Sequence, residues 1–145
     1  MIIVARTEQE KHAARVFMGR KGKMPAVSSD FKAFICVDKI GNIIAVIAYD
    51  DFIGRTCRLQ VEGNGNWVSR DLMVASAYYP FVELDLVAMF ANASADSAQS
   101  MELLERVGFE EIYRIPDGIR PGVDMVGYRM DRANCRWLKE NRLAA

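Results

Sequence analysis

The sequence predicts an α/β (α+β) domain built on a mixed, mostly antiparallel sheet of six to seven strands flanked by about four helices. Three observations carry this. Residues 31–37 and 43–49 are apolar strand runs separated by Asp38-Lys39-Ile40-Gly41-Asn42, and residues 55–61 return after Ile53-Gly54, which gives a three-strand antiparallel meander. A glycine-containing turn and a helical pattern then lead to a further apolar run at residues 82–90. A strand-helix-strand unit of that length sets its second strand parallel to the first. A second capped helix and a closing hairpin complete the pattern.

Composition bounds the rest. The 145 residues suit one domain over the whole chain, long enough to bury most of its apolar surface without metal or disulfide staples. Basic and acidic side chains balance at 19 each, so net charge draws the protein neither to nucleic acid nor to an anionic membrane. Cys36, Cys57 and Cys135 are odd in number and widely spaced, two of them inside apolar strand runs, which reads as buried, reduced thiols. The opening M-I-I-V-A-R-T is too short an apolar run for a signal peptide, and no stretch reaches bilayer-spanning length. A cytoplasmic location is expected. His12, the single histidine, lies among charged residues on an early helix and should be exposed; with scattered cysteines it forms no metal-ligand set.

In chain order, residues 1–5 read as an edge strand. Thr7 and Glu10 have capping-box spacing, and Ala13, Ala14, Val16 and Phe17 give the helix its buried face. Residues 20–30 hold Gly, Pro and three basic residues without periodicity, a loop that either grips a substrate or merely tolerates mobility. The 43–49 strand is apolar on both faces and belongs in the middle of a covered sheet, with Asp50 and Asp51 ending it. The next strand stops at Glu62. A helix over residues 68–79 halts before Pro80. In the 82–90 run, Leu84, Leu86 and Ala88 share a face. Asp96, with Gln99 three residues on, caps the helix carrying Ala98, Met101, Leu104 and Val107, and Gly108-Phe109 closes it as a glycine C-cap with its apolar contact. Residues 110–115 and 123–130 pair around Pro116-Asp117-Gly118 and Pro121-Gly122. Residues 131–143 form a terminal helix presenting Arg136, Trp137 and Leu138. Trp137, Met18 and Met24 permit an interface, although a lone tryptophan on a terminal helix more often packs back on its own sheet.

The stretch at residues 57–79 organises the chain. Alternating Cys57, Leu59 and Val61 run into Gly63-Asn64-Gly65-Asn66, and a helix begins near Trp67 to Ser69. Glycines let a ligand approach the backbone closely, and a helix start offers unpaired N–H groups and a positive dipole end to an anion. A phosphate-bearing ligand is the functional expectation from this stretch, beside a purely structural turn.

The element order, the strand ending Leu59-Gln60-Val61 before Gly63-Asn64-Gly65, the strand ending at Asn92 and the helix ending L-L-E-R-V-G-F at Phe109 together resemble the GNAT family of acetyl-CoA-dependent N-acetyltransferases over nearly the whole chain. The compact size and the closing D-R-A-N-C-R-W-L are also similar to short acetyltransferase-like proteins of tailed bacteriophages. The resemblance implies a sheet splayed at its central strands, with a V-shaped opening between residues 58–61 and 84–90. It implies acetyl transfer from acetyl-CoA to a primary amine of a small molecule or a protein. Leu59, Gln60 and Val61 would bond the pantetheine arm through the main chain. Gly63, Asn64, Gly65 and Asn66, with Ser69 and Arg70, would receive the pyrophosphate. Asn92 and Ser97 would add polar contacts. Glu62 stands where the family has a basic or amide residue, Trp67 where it has a small one, and Leu104 where it often has a proton-donating tyrosine. Glu62 is the best-placed general base, followed by Asp50 and Asp51; Tyr113, Tyr78 and Tyr79 are the replacement acids. The alternative is a catalytically impaired protein of the same fold that holds coenzyme A or docks on a protein partner, such as a host enzyme. A homodimer is compatible with either. The loops at residues 18–30 and 115–123 would grip the acceptor.

Overall fold

A computed structural model of the chain describes residues 1–20, 27–28, 30–64 and 66–141, apart from the side chains of residues 140 and 141. The strands are β1 (Ile2–Val4), β2 (Lys32–Val37), β3 (Ile43–Ile53), β4 (Thr56–Gly63), β5 (Ala88–Ser94), β6 (Glu110–Arg120) and β7 (Val123–Asp131). The helices are α1 (Glu8–Gly19), α2 (Arg70–Tyr78), α3 (Ala98–Val107) and α4 (Arg136–Asn141). One sheet runs β1-β2-β3-β4-β5-β7-β6, and β4 with β5 is its parallel pair. The mixed, mostly antiparallel sheet and its four helices agree with the fold class expected from sequence.

Strand alternation divides the side chains between two cores. On one face, Ile47, Tyr49, Cys57, Leu59, Met89 and Ala91 pack against α2, α3 and α4. On the other, Ala33, Ile35, Val46 and Ala48 meet Ala14 and Met18 of α1. The apolar β3 run faces both, as its sequence requires. The capping box at Thr7 and Glu10 is present, and Gly108 takes the left-handed conformation at φ 111° that lets α3 end on buried Phe109. All three cysteines are free and buried. Burial, with the nearby Asp50 carboxylate adding to it, pushes the Cys57 thiol up to about 12. Among the described residues no helix is long and apolar enough to cross a membrane.

Several boundaries differ from the sequence reading, each for a local reason. Val16 points outward at 60% exposure, and Met18, one helical turn on from Ala14, takes the buried place. Asp50 does not end β3: the strand continues to Ile53 through a bulge, with Asp51 at φ 48°. Nor does β4 stop at Glu62, because Glu62 and Gly63 still pair with Val46 and Ala45 and alternation turns the carboxylate away from the apolar face. Pro80 does not halt the chain after α2. It sits in the first turn of a π-helical stretch, Tyr79–Glu83, where a missing N–H is harmless. That stretch absorbs Val82 and is capped by Leu84, so β5 begins only at Ala88 and Asn92 is interior to it. The cap of α3 is Ser97, whose hydroxyl accepts the Ser100 N–H, while Asp96 turns to Ser94 and Arg120. Pro116 to Gly118 form an irregularity within β6, and the hairpin turns at Pro121 and Gly122. A 3-10 turn, Arg132–Asn134, shortens the terminal helix. Trp137 packs back on the fold and donates from Nε1 to the Val107 carbonyl at 2.8 Å. The expected interface role of Met24 lies outside the described residues.

Candidate active site

The parallel pair is short. β4 and β5 meet only at Thr56–Ala88, Cys57–Met89 and Arg58–Phe90, and past that point they diverge. The main-chain edges of Leu59 to Gly63 and of Ala91 to Ser94 therefore face each other across a split instead of bonding. The opening expected at residues 58–61 and 84–90 is thus real but shifted along both strands. A cleft of about 660 Å³ occupies it.

The same alternation that divides the cores gives the cleft two sides. Leu59, Ala91 and Ala93 face an apolar chamber closed by Met73 and Ala77 of α2, Leu104 and Val107 of α3, and Trp137 of α4. Gln60 and Glu62 on β4, with Asn92 and Ser94 on β5, point to the opposite, polar side, where Met18 of α1 and Arg120 of β6 complete the lining. One side of the split is thus lined by apolar side chains and the other by polar ones.

Glu62 lines the polar side with its side chain 12% exposed, and Arg20 at the end of α1 reaches it with Nη2 at 3.3 Å. The Arg20 guanidinium lies over the Phe17 ring, 4.1 Å from its centroid. Below Glu62 on the same face, Arg58 donates from Nε at 2.9 Å and Nη2 at 2.7 Å to Asp50, which is fully buried. Asp50 also accepts the Ser28 N–H at 3.0 Å and Gln60 Nε2 at 3.3 Å, and Arg58 reaches Asp51 at 3.3 Å. These hydrogen bonds to Asp50 outweigh burial and raise the pKa of Arg58, so the guanidinium stays charged at the floor of the split. Asp50 is a fixed counter-ion here, not the strand end or reserve general base expected of it.

The structure brings Leu59, Gln60, Val61, Glu62, Asn92 and Ser97 together around one cleft. Ser97 donates to Ser100 Oγ at 2.8 Å, which puts two hydroxyls on the wall at the start of α3. Gly63, Asn64, Asn66, Ser69 and Arg70 sit outside the cleft lining, at the end where β4 runs into α2. There Asn64 donates its N–H to the Ile44 carbonyl at 2.8 Å, and the Ser69 hydroxyl accepts the Leu72 N–H at 3.2 Å as the cap of α2. The Trp67 indole lies directly on Gly63: a Cβ on that residue would stand 2.2 Å from Nε1. Gly65 lies outside the described residues. Tyr113 is on β6, outside the cleft lining. Its ring covers Gly127 of β7, and its hydroxyl reaches across that strand to donate to Asn92 Oδ1 at 2.9 Å. Tyr79 is a core contact of Phe34 and Tyr49, and Leu104 is buried in the chamber wall with no proton to give.

Sequence reasoning missed Arg58, Arg20, Ser100 and the Arg120–Asp96 pair. Arg58 had a signal: counting the β3–β4 register through the hairpin places it opposite Asp50, a charge pair across strands. Arg20 and Arg120 reach partners 42 and 24 residues away, for which no local pattern exists.

No family model and no curated protein matches the chain, whereas solved structures do. A dodecameric spermidine N-acetyltransferase from Vibrio cholerae in an intermediate state superposes with a TM-score of 0.77 at 13% identity, over 96% of this chain and 97% of that one. The spermidine N-acetyltransferase from the same organism in complex with CoA and spermine gives 0.72 at 14% identity, over 92% and 96%. Coverage on both sides is nearly complete, so the likeness concerns the whole architecture and not a shared fragment. The chain has the GNAT fold of these N-acetyltransferases.

Proposed function

We propose that the chain is an N-acetyltransferase that takes its acyl group from acetyl-CoA and passes it to a primary amine, in the cytoplasm. One observation carries the reading: the divergent β4 and β5 edges open a slot between an apolar chamber and a polar wall bearing Glu62. The chamber and the unpaired strand edges fit a thioester arm, and the start of α2, with Ser69 and Arg70, fits its phosphates. When bound, acetyl-CoA supplies the activated acyl group. The chain's own groups do the rest. The main chain at Leu59 to Val61 orients the arm. Glu62, on the polar side, takes the proton that the acceptor's ammonium must lose before its nitrogen can attack. Asn92, held by Tyr113, and the Ser97 and Ser100 hydroxyls border the split where charge develops and a thiolate departs. Tyr113 acts through Asn92 as a positioning residue. Gly63, Asn64 and Asn66 border the phosphate end, where Trp67 has to leave Gly63 if the ligand reaches that peptide.

Leu104 and the indole on Gly63 favour a second reading, a protein of this fold that binds coenzyme A without acetyl transfer. Phage origin, a host protein partner and a homodimer add nothing to either reading. Calorimetric titration with acetyl-CoA, followed by thiol release over an amine panel, decides between them. Binding with turnover is expected, with Glu62→Gln lowering kcat about 100-fold at neutral pH and leaving the acetyl-CoA KM in place. Binding without turnover selects the second reading, and no binding refutes both.

A further inference from the structure

Charge pairing on the polar side of the cleft bears on what the acceptor is. The two carboxylates in the cleft lining, Glu62 and Asp96, each face an arginine, Arg20 and Arg120. Of the two arginines in the lining itself, Arg120 is the partner of Asp96 and Arg58 is held by Asp50 and Asp51. Among the described residues, every acid of this wall is already matched by a guanidinium. A polyamine, with several positive charges and no negative one, gains little from such a wall, because each contact it makes with a carboxylate displaces a cation in place.

The Arg20–Glu62 pair is the adaptable one. Arg58 grips Asp50 through two nitrogens at 2.7 and 2.9 Å, whereas Arg20 contacts Glu62 through one nitrogen at 3.3 Å, at the long end of hydrogen bonding. Its guanidinium also lies over the Phe17 ring, a contact that does not depend on the carboxylate. A planar guanidinium in that position has further N–H groups with which to take a carboxylate edge-on. An ammonium entering beside Glu62 and a carboxylate entering beside Arg20 convert one long ion pair into two shorter ones and leave no charge unmatched.

We infer that the acceptor is a zwitterion of the amino-acid type, its primary ammonium received by Glu62 and its carboxylate by Arg20. The inference rests on the acetyltransferase reading. The ammonium gives one proton to Glu62, which passes it on to solvent; as the N–C bond forms and the C–S bond of the thioester breaks, the nitrogen sheds a second proton, and the departing thiolate takes one up to leave as the thiol. The acetylated product keeps its carboxylate but has lost its cation, so Glu62 returns to Arg20 and the product leaves.

Matched pairs test this: L-phenylalanine against 2-phenylethylamine, L-methionine against 3-(methylthio)propylamine, and spermidine alongside, each with acetyl-CoA and the full chain. The expected result is a kcat/KM at least tenfold higher for the amino acid of each pair, through KM. Arg20→Gln should bring the ratio to within about twofold of one, Arg20→Lys should restore part of it, and the acetyl-CoA KM should stay put in both. A melting curve within a few degrees of the parent confirms that these variants fold. Preference for the decarboxylated amines or for spermidine overturns the inference while leaving the transferase intact, as does a ratio insensitive to Arg20→Gln. Acetyl-CoA binding without turnover of any amine overturns the transferase reading and this inference with it.

Discussion

Arg58→Met tests whether the floor of the split is held by a desolvated ion pair. Asp50 is fully buried, so removing the guanidinium strands a carboxylate with only the Ser28 N–H and the long Gln60 contact. Two charge-assisted hydrogen bonds are lost, at about 1.5–3 kcal/mol each, and breaking buried pairs from one side costs about 3–5 kcal/mol. Arg58 itself is one-quarter exposed, which screens part of its contribution, so about 3 kcal/mol is expected. For a domain of this size that is a fall in Tm of roughly 6–12 °C. Asp50→Leu should cost less, because the arginine it orphans is partly solvated and keeps Asp51. The double variant should be less damaging than Arg58→Met alone, giving a coupling energy of opposite sign to the single losses. Urea melts of the four proteins at pH 7 supply the cycle. A loss below about 1 kcal/mol for Arg58→Met, or strict additivity, would refute the claim that burial makes this pair indispensable.

Other expectations follow from single contacts. Gly63→Ala forces the indole off β4, since the new Cβ overlaps it; in a Trp137→Phe background the emission of Trp67 should shift to the red, and an unchanged spectrum would mean that the indole does not rest there. Gly127→Ala drives the Tyr113 ring from β7 and breaks its bond to Asn92, so it should lower kcat to about the level of Tyr113→Phe, with the two changes non-additive when combined. Tyr49 is fully buried, and burial raises its hydroxyl pKa well above the usual value, while its bond to the Ser76 carbonyl works in the opposite direction. A raised folded value means that the stability it contributes is complete below about pH 10, the unfolded value, and is lost as pH rises further. Stability should therefore decline from about pH 10 upward, and less steeply in Tyr49→Phe, as followed by urea midpoints across that range.

What was legible in the sequence was whatever depends on neighbours in the chain. The capping box at Thr7, the left-handed Gly108 with Phe109, the Asp38–Asn42 turn and the both-sided apolarity of β3 are local patterns, and all stand in the fold. Strand ends are not legible where a charge reads as a stop. Asp50 and Glu62 continue their strands because a paired neighbour fixes the backbone and alternation alone decides where the side chain goes. The site was half legible for the same reason. Leu59 to Glu62 and Asn92 lie on two adjacent strands whose order the motif carries, whereas Arg20 and Arg120 enter from elements that only the finished sheet brings near. Tyr113 could be proposed as an aromatic hydroxyl, but its reach across β7 to Asn92 depends on the missing side chain of Gly127, a contact that no spacing encodes.

The short seam between β4 and β5 has a further consequence for assembly. All strands up to Gly63 lie on one side of those three rungs and all strands from Ala88 onward on the other, so each half-sheet is woven from segments close together in the chain. Local contacts of this kind favour early collapse of each half, with the seam, bridged by α2, expected to close last. A ligand seated in the proposed split would hold both halves at once.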